Sequence, residues 1–541
     1  MRHHRLTVFP PPSHLLRYGL KGLSLCLIIF FCCTVSLAAD SQPSAGDLMQ
    51  RGRAAAREGS YEEALLAWKA AAELYDQAGE TKNHIQALTQ SAFAARTLGH
   101  INQAFLQEEL ALHLARQLRD SQWLVITLSE LGKTYVTNHQ YEVAADYIGQ
   151  ALEIAQAQSF RALSPALQND LGIVLALQGR PEEALAAFHQ CAVSAKQEGL
   201  IPLFIRARVN AARMAIQVAQ FDTATSALAE AADQLAGSAS SYEKAEGLVN
   251  LALGYRDLAL AHSGSHASAL KRSALFLQEA AGMTQHPGDA RLASYVYGHL
   301  GHLYEVERRF DEALQLTRQA VFTAQSARAP ESLYRWQWQS GRLLNRLGQL
   351  DDALSAYQEA AITLHPIRSE VTFAVQTSPD SHQPSIRALY FELADLLLRR
   401  AALMHENREA EAYLRAARDV IEAFKAAELR DYFRDDCVDQ MQARITKLDA
   451  LSPSTAIIYP IVFSDRTELL VSLPDGLTRH SVPVTAATLT DEVRRFRHTL
   501  EKPTTREYLP HAQQPYDWLI RPLAPDLRRL KVNTLVFVPD G

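Results

Sequence analysis

Through residues 46–236, apolar side chains fall at helical intervals and small residues punctuate them at a fixed stride. Residues 171–192, LGIVLALQGRPEEALAAFHQCA, show one unit. An apolar-faced helix is broken at Gly179-Arg180, and a second amphipathic helix follows. A small residue recurs at Gly52, Ala92, Gly132, Gly172 and Ala212, a constant stride of forty positions. Twelve positions after each stands Ala64, Ala104, Ala144, Ala184 or Ala224. The pair returns at the same stride as Gly301/Ala313 and Gly341/Ala353. A stride of this length predicts helical hairpins stacked side by side.

Gly172 and Ala184 belong on facing helices, where only a small side chain lets two backbones come close, while Leu175 and Phe188 supply bulk. Glu182 and Glu183 suit the positive start of the second helix. Each hairpin has an apolar face that only a neighbour can cover, so the units must stack. Three places depart from the pattern. Glu108 stands where neighbouring units place a bulky residue, and Ala219 replaces a turn glycine. Across residues 245–283 the register slips, with Gly254 keeping the small role and residues 263–268 forming an inserted turn. Eight units are expected in all.

The pattern resembles the tetratricopeptide repeat in its longer-helix form. The residues that carry the likeness include Gly132, Tyr135, Ala144 and Ala151 in one unit, and Gly341, Gly348, Ala353, Tyr357 and Ala360 in another. The resemblance covers residues 46–365 and implies a mainly α chain, a tetratricopeptide-type α-α superhelix or solenoid.

Beyond residue 364 the composition changes. Residues 366–451 form a closing and connecting region: prolines 366, 379 and 384 surround a β-prone patch at 371–375, and a long helical stretch, 386–451, follows as one more helical pair. The last 91 residues hold ten of the 22 prolines and only five alanines, which marks a different kind of domain at 452–541. Residues 457–463 and 469–473 read as a hairpin, 479–482 as a third strand, 486–500 and 516–530 as helices, and 534–538 as a buried strand. A domain ending on the turn Pro539-Asp540-Gly541 would have a sheet begun and not finished.

This region resembles the start of a CHAT domain, the caspase-related peptidase domain associated with tetratricopeptide repeats. The carrying residues are Ala427-Glu428-Leu429-Arg430-Asp431-Tyr432-Phe433 with Asp436-Cys437, Tyr459-Pro460-Ile461, Asp465-Arg466, Tyr516-Asp517-Trp518-Leu519, Pro522-Leu523 and the stretch 535–541. The resemblance implies the incomplete N-terminal part of an α/β caspase-like fold whose His–Cys pair sits on loops after parallel strands. No cysteine occurs past residue 450, so no catalytic residue of the family can be assigned and no peptidase activity is expected from the chain as given. A longer form could be a cysteine peptidase.

The N-terminus reads as an export signal, residues 1–39. Arg2, Arg5, Arg17 and Lys21 precede an apolar run at 23–35, and Ser36-Leu37-Ala38-Ala39 offers small residues for cleavage. Cleavage there removes four positive charges and takes the net charge from −6 to −10. Periplasmic or secreted location follows; the alternative is an inner-membrane anchor at residues 20–39, although the run is shorter than the roughly 20 residues a spanning helix wants. The acidic balance argues against a nucleic-acid partner. Two cysteines outside that segment, Cys191 and Cys437, form no disulfide framework.

Four constellations are candidates for chemistry. Cys437 with Asp435, Asp436 and Asp439 reads as a helix-packing thiol beside solvated carboxylates. His299, His302 and Glu305 share one helical face but lack a zinc-site spacing, so no metal and no cofactor is expected, and groove-lining polar residues are the better reading. His480, His498 and His511 have no motif around them. The first helix of each unit should line a concave groove, placing Arg53, Arg57, Arg96, Lys133 and Arg213 there with Phe93, Ile173 and Ile216 between them. Trp338, Arg342, Asn345 and Arg346 occupy equivalent or neighbouring positions downstream. Basic side chains with apolar ones between them suit a protein or peptide segment carrying carboxylates.

Overall fold

A computed structural model describes residues 43–539 apart from 58, 287–288, 369–370, 372–384, 406, 434–453 and 502–505. The export segment, most of the 371–375 patch and the Cys437 cluster lie outside the described residues. The chain divides into two units, Met1–Pro43 and Ser44–Gly541, and every described element falls in the second.

Sixteen of the described helices form eight hairpins, the tetratricopeptide-type superhelix. They are α1 (Ala45–Arg57), α2 (Tyr61–Gln77), α3 (Thr81–Thr97), α4 (Ile101–Leu118), α5 (Ser121–Thr137), α6 (Tyr141–Ala157), α7 (Ser164–Leu177) and α8 (Pro181–Gln197). Then come α9 (Ile201–Gln217), α10 (Phe221–Ala236), α11 (Tyr242–Ala261), α12 (His266–Met283), α13 (Ala290–Val306), α14 (Phe310–Ser326), α15 (Pro330–Arg346) and α16 (Leu350–Leu364). Another pair, α17 (Ile386–Leu403) and α18 (Asn407–Phe433), follows, with α17 packed on α16.

The turns obey a tighter rule than the stride of the hairpins. Left-handed backbone recurs at Gly59, Gly79, Gly99, Arg119, His139, Ser159, Gly179, Gly199 and Ala219, once per twenty positions. Past the register slip the same spacing resumes at Arg308, Arg328 and Gly348. At Ala219 the φ is 58°, and Gln220 N–H bonds back to the Ala215 carbonyl at 2.7 Å. That six-to-one bond satisfies the last carbonyls of the helix and reverses the chain. The missing glycine therefore changes the cost of the turn and not its shape.

Small residues do their work inside the hairpin. A Cβ on Gly172 would stand 2.7 Å from the Phe188 ring, one on Gly52 2.4 Å from Trp68, and one on Gly341 2.6 Å from Tyr357. The large partner lies sixteen positions beyond the small one each time. Glu108 holds that same position relative to Ala92, and it is fully buried.

Four strands follow: β1 (Thr455–Val462), β2 (Thr467–Leu473), β3 (Gly476–Val482) and β4 (Thr534–Phe537), in sheet order β3-β2-β1-β4. β1 pairs antiparallel with β2 and parallel with β4. Between β3 and β4 run α19 (Ala486–Leu500), α20 (Tyr508–Leu519), a 3-10 turn at Arg521–Leu523 and α21 (Ala524–Arg529). One face of β1, with Ile457, Tyr459 and Ile461, joins the core of α17 and α18; the other, with Ala456 and Ile458, joins that of Leu489 and Leu523. Two sequence expectations change here. The 516–530 helix starts earlier and breaks at Ile520, so that Pro522 and Pro525 fall in the first turns of the short helical pieces that follow, where proline costs no hydrogen bond, although α20 itself carries Pro515 in its interior. β4 is not a buried strand. Leu535 and Phe537 are 40% and 43% exposed, because its far edge pairs with no strand among the described residues.

A buried carboxylate ties sheet to helices. Glu468, fully enclosed, accepts from Arg466 at 2.6 Å and from Arg479 at 2.7 and 2.8 Å. Arg466 also reaches Asp395 on α17, and Arg479 donates to the Leu398 carbonyl at 2.9 Å.

Two substitutions test the packing. Gly172→Ala should destabilise by about 1–3 kcal/mol through overpacking against Phe188, read as a lower midpoint in urea unfolding. Ala219→Gly should stabilise by roughly 1 kcal/mol, since glycine adopts left-handed backbone without penalty. An unchanged midpoint in the first variant would overturn the close approach.

Candidate functional site

First helices of successive units touch one another, α3 with α5, α5 with α7, α7 with α9, α9 with α11, α11 with α13 and α13 with α15, while successive second helices make no comparable contact. The first helices therefore line the inner, concave side.

The sequence-predicted groove residues, all on first helices, divide into two groups. Arg53 and Arg57 on α1 and Arg346 at the end of α15 are exposed. Arg53 donates to the Met49 carbonyl at 3.2 Å. Phe93 is half-buried, edge-on to Tyr61 at 6.0 Å. Ile173 and Ile216 are half-buried against the helix cores, and Asn345 is half-buried too.

The remaining basic residues face carboxylates of this chain. Arg96, 2% exposed, donates to Glu108 at 2.9 Å and to Glu130 at 3.0 Å. Thr134 closes the ring by donating to Glu108 at 2.6 Å. Lys133 bridges Glu130 at 2.8 Å and Asp170 at 3.2 Å. Arg213 on α9 meets Asp257 on α11 at 3.1 Å, and Arg342 on α15 holds both oxygens of Glu305 on α13 at 3.1 Å. Trp338 donates its indole N–H to Glu392 on α17 at 2.7 Å, which also accepts from Tyr357 at 2.8 Å. Most of these partners are one stride away, on a neighbouring first helix. The inner face is thus laced laterally by ion pairs.

Burial alone would raise the Glu130 carboxyl, but Lys133 and Arg96 pull it down to about 2. Glu108 is different: burial outweighs Arg96 and pushes it up to about 7. Cys191 is buried and its thiol is pushed up to about 12 by that burial, so it is no nucleophile.

A concavity of about 430 Å³ lies where α11, α13 and α15 run side by side. Trp338 and Arg342 line it with His299, His302, Tyr295, Trp336 and Arg335. His302 Nδ1 sits 3.3 Å from Glu305. Among the described residues, no group of three His, Cys, Asp or Glu is arranged to hold a metal ion. No helix of the described residues is long and apolar enough to cross a membrane. Sequence reasoning singled out His299, His302, Trp338 and Arg342 but missed Tyr295, Arg335 and Trp336, and it could not bring α11 beside α13. Residues 245–283 fall out of stride, so no spacing pointed from one helix to the other.

No protein-family model matches the chain, and no curated protein does. Among solved structures, it is similar to TTC0263, a thermophilic TPR protein of Thermus thermophilus, at 19% identity, over 39% of this chain and 98% of that one, with a TM-score of 0.28. The apo quorum sensor NprR of B. thuringiensis matches at 12% identity over 69% and 100%, TM-score 0.37. The human IFIT1 dimer with m7Gppp-AAAA matches at 13% over 75% and 91%, TM-score 0.42. The superhelix itself rests on this chain's own hairpins.

Glu305 offers a pH test. Burial alone would raise its carboxyl, yet His302 and Arg342 lower it from 4.5 to about 2. A lowered carboxyl stabilises the fold above its unfolded value, and that stability disappears as pH falls through the folded one. The Glu305→Gln penalty should be on the order of 2–3 kcal/mol at neutral pH and shrink between about pH 4.5 and 2 in urea titrations. A pH-independent gap would count against the Arg342 pairing.

Proposed function

We propose that the chain is an exported repeat scaffold that holds a protein or peptide segment along its concave face and presents it to a caspase-like CHAT module at its C-terminal end. The lateral lacing of the first helices carries this reading. A face whose side chains are already locked by Arg342–Glu305, Lys133–Asp170 and Arg213–Asp257 is pre-organised for a long ligand. Arg53, Arg57 and Arg346 are the exposed basic groups that would meet acidic side chains. The CHAT reading is supported by a sheet in which β1 and β4 run parallel, with helices on both sides of β1. The dyad such a module needs is not in these residues: His511 bonds Glu492 at 2.6 Å, His480 faces Asp526, and the sequence has no cysteine past residue 450. Capture and presentation are the role that these residues support. The alternative, a non-catalytic interaction scaffold with a degenerate CHAT-like part, shares the same groove.

The triple variant Arg53→Glu, Arg57→Glu, Arg346→Glu should weaken capture of acidic peptides at least about tenfold, the equivalent of about 1.4 kcal/mol, in fluorescence anisotropy with a labelled peptide library. Unaltered affinity would remove the groove assignment. Export is tested separately: residues 1–45 fused to alkaline phosphatase should give activity, which the enzyme acquires only outside the cytoplasm.

A further inference from the structure

The cavity between α11, α13 and α15 has chemistry that a segment-binding groove does not require. Its volume, about 430 Å³, falls in the range of roughly 300–1,000 Å³ that small-molecule sites occupy. Its aromatic wall has a defined geometry. Tyr295 and His299 lie nearly parallel, centroids 6.2 Å apart at 25°. Trp336 stands edge-on to both, at 84° and 86°. Together they offer the cavity two near-parallel rings and a third set perpendicular to them, groups that can meet a planar ring by stacking and edge contact.

The charged lining is mostly basic. Arg256, Arg291, Arg335 and Arg342 line the cavity, and Glu246 is the one carboxylate among the lining residues. Three of the guanidiniums are oriented by carboxylates of neighbouring residues: Arg256 by Asp257 at 2.6 Å, Arg291 by Glu331 at 2.6 Å, and Arg342 by Glu305 at 3.1 Å. They are held in place before any ligand arrives. His299 on this wall is held well below the usual imidazole range, chiefly by burial and further by Arg256, His302 and Arg335.

We propose that this cavity binds a small planar organic anion, an aromatic or heteroaromatic ring bearing a carboxylate or a phosphate. The ring lies along the Tyr295–His299 wall against the edge of Trp336, and the anionic group meets the guanidiniums. The assignment goes beyond segment capture, because the ligand is a small molecule and the walls belong to three consecutive first helices. A ligand that touches all three ties them together and stabilises the folded repeats by mass action.

The purified full chain would be titrated calorimetrically with indole-3-acetate and AMP, and in parallel with their uncharged counterparts indole-3-acetamide and adenosine. At least one anion should bind with a Kd below about 100 µM, and its neutral counterpart at least about tenfold more weakly, as loss of a charge-assisted hydrogen bond requires. Indole-3-acetate alone would assign the carboxylate, AMP alone the phosphate. Arg335→Gln should weaken the bound anion about tenfold, whereas the Arg53, Arg57 and Arg346 reversals should leave it unchanged, which separates this site from the segment groove. The comparison of anion with neutral analogue needs no variant, so it holds even if Arg335→Gln does not fold. No binding of either anion up to about 1 mM, equal binding of the neutral analogues, or binding only of acidic peptides would overturn the proposal.

Discussion

Everything in the repeat region depends on one contact, a small residue on the first helix of a hairpin facing a large one sixteen positions later on the second. Gly52 against Trp68, Gly132 against Ile148, Gly172 against Phe188 and Gly341 against Tyr357 are four instances. With no Cβ on one side, the two backbones close until the large side chain fills the remaining space at interior density. The helix length and the regular left-handed turns then follow, because each large partner must return to the same height on its neighbour. The stride that the sequence displays is this contact repeated once per hairpin.

The second unit shows what happens when the contact changes chemistry. Glu108 occupies the large position opposite Ala92, so a carboxylate sits where neighbours place Trp68, Ile148 or Phe188. Left alone it would cost several kcal/mol. Arg96 and Thr134 answer it, and Arg96 in turn draws in Glu130, Lys133 and Asp170. This explains why the basic pattern on the first helices, legible in the sequence, does not translate into a basic groove. Spacing along one helix says which side chains face inward. It does not say that the next first helix, 34 to 44 residues on, presents a carboxylate to meet them.

The helical hairpins and the places of the four strands along the chain could be read from periodicity and turn residues, since both are local. What could not be read is long-range pairing. Glu468 looks like an exposed residue at the start of a strand, yet Arg466 and Arg479 enclose it against α17. The run 534–538 is apolar enough to suggest a buried strand, but burial depends on what pairs with its far edge, and no strand among the described residues does.

The cavity has the same kind of origin. A steady stride brings neighbouring first helices together at equal intervals and leaves only a shallow groove. Around α11 the stride fails, and Gly247 and Gly254 let this helix press close on α10: a Cβ on Gly254 would stand 2.5 Å from Leu228 and one on Gly247 2.9 Å from Leu235, while Val209 and Ile205 of α9 lie at 3.4 and 3.6 Å. On the far side Gly298 lets the Trp336 indole lie directly on the α13 backbone, its ring carbons within 2.4 Å of where a Cβ would be. Large rings and guanidiniums line the space bordered by α11, α13 and α15. A repeat protein that merely needed length had no reason to break its stride at this point. The break in stride, the close approaches at Gly254 and Gly298 and a mostly basic lining thus fall together at one place along the first helices.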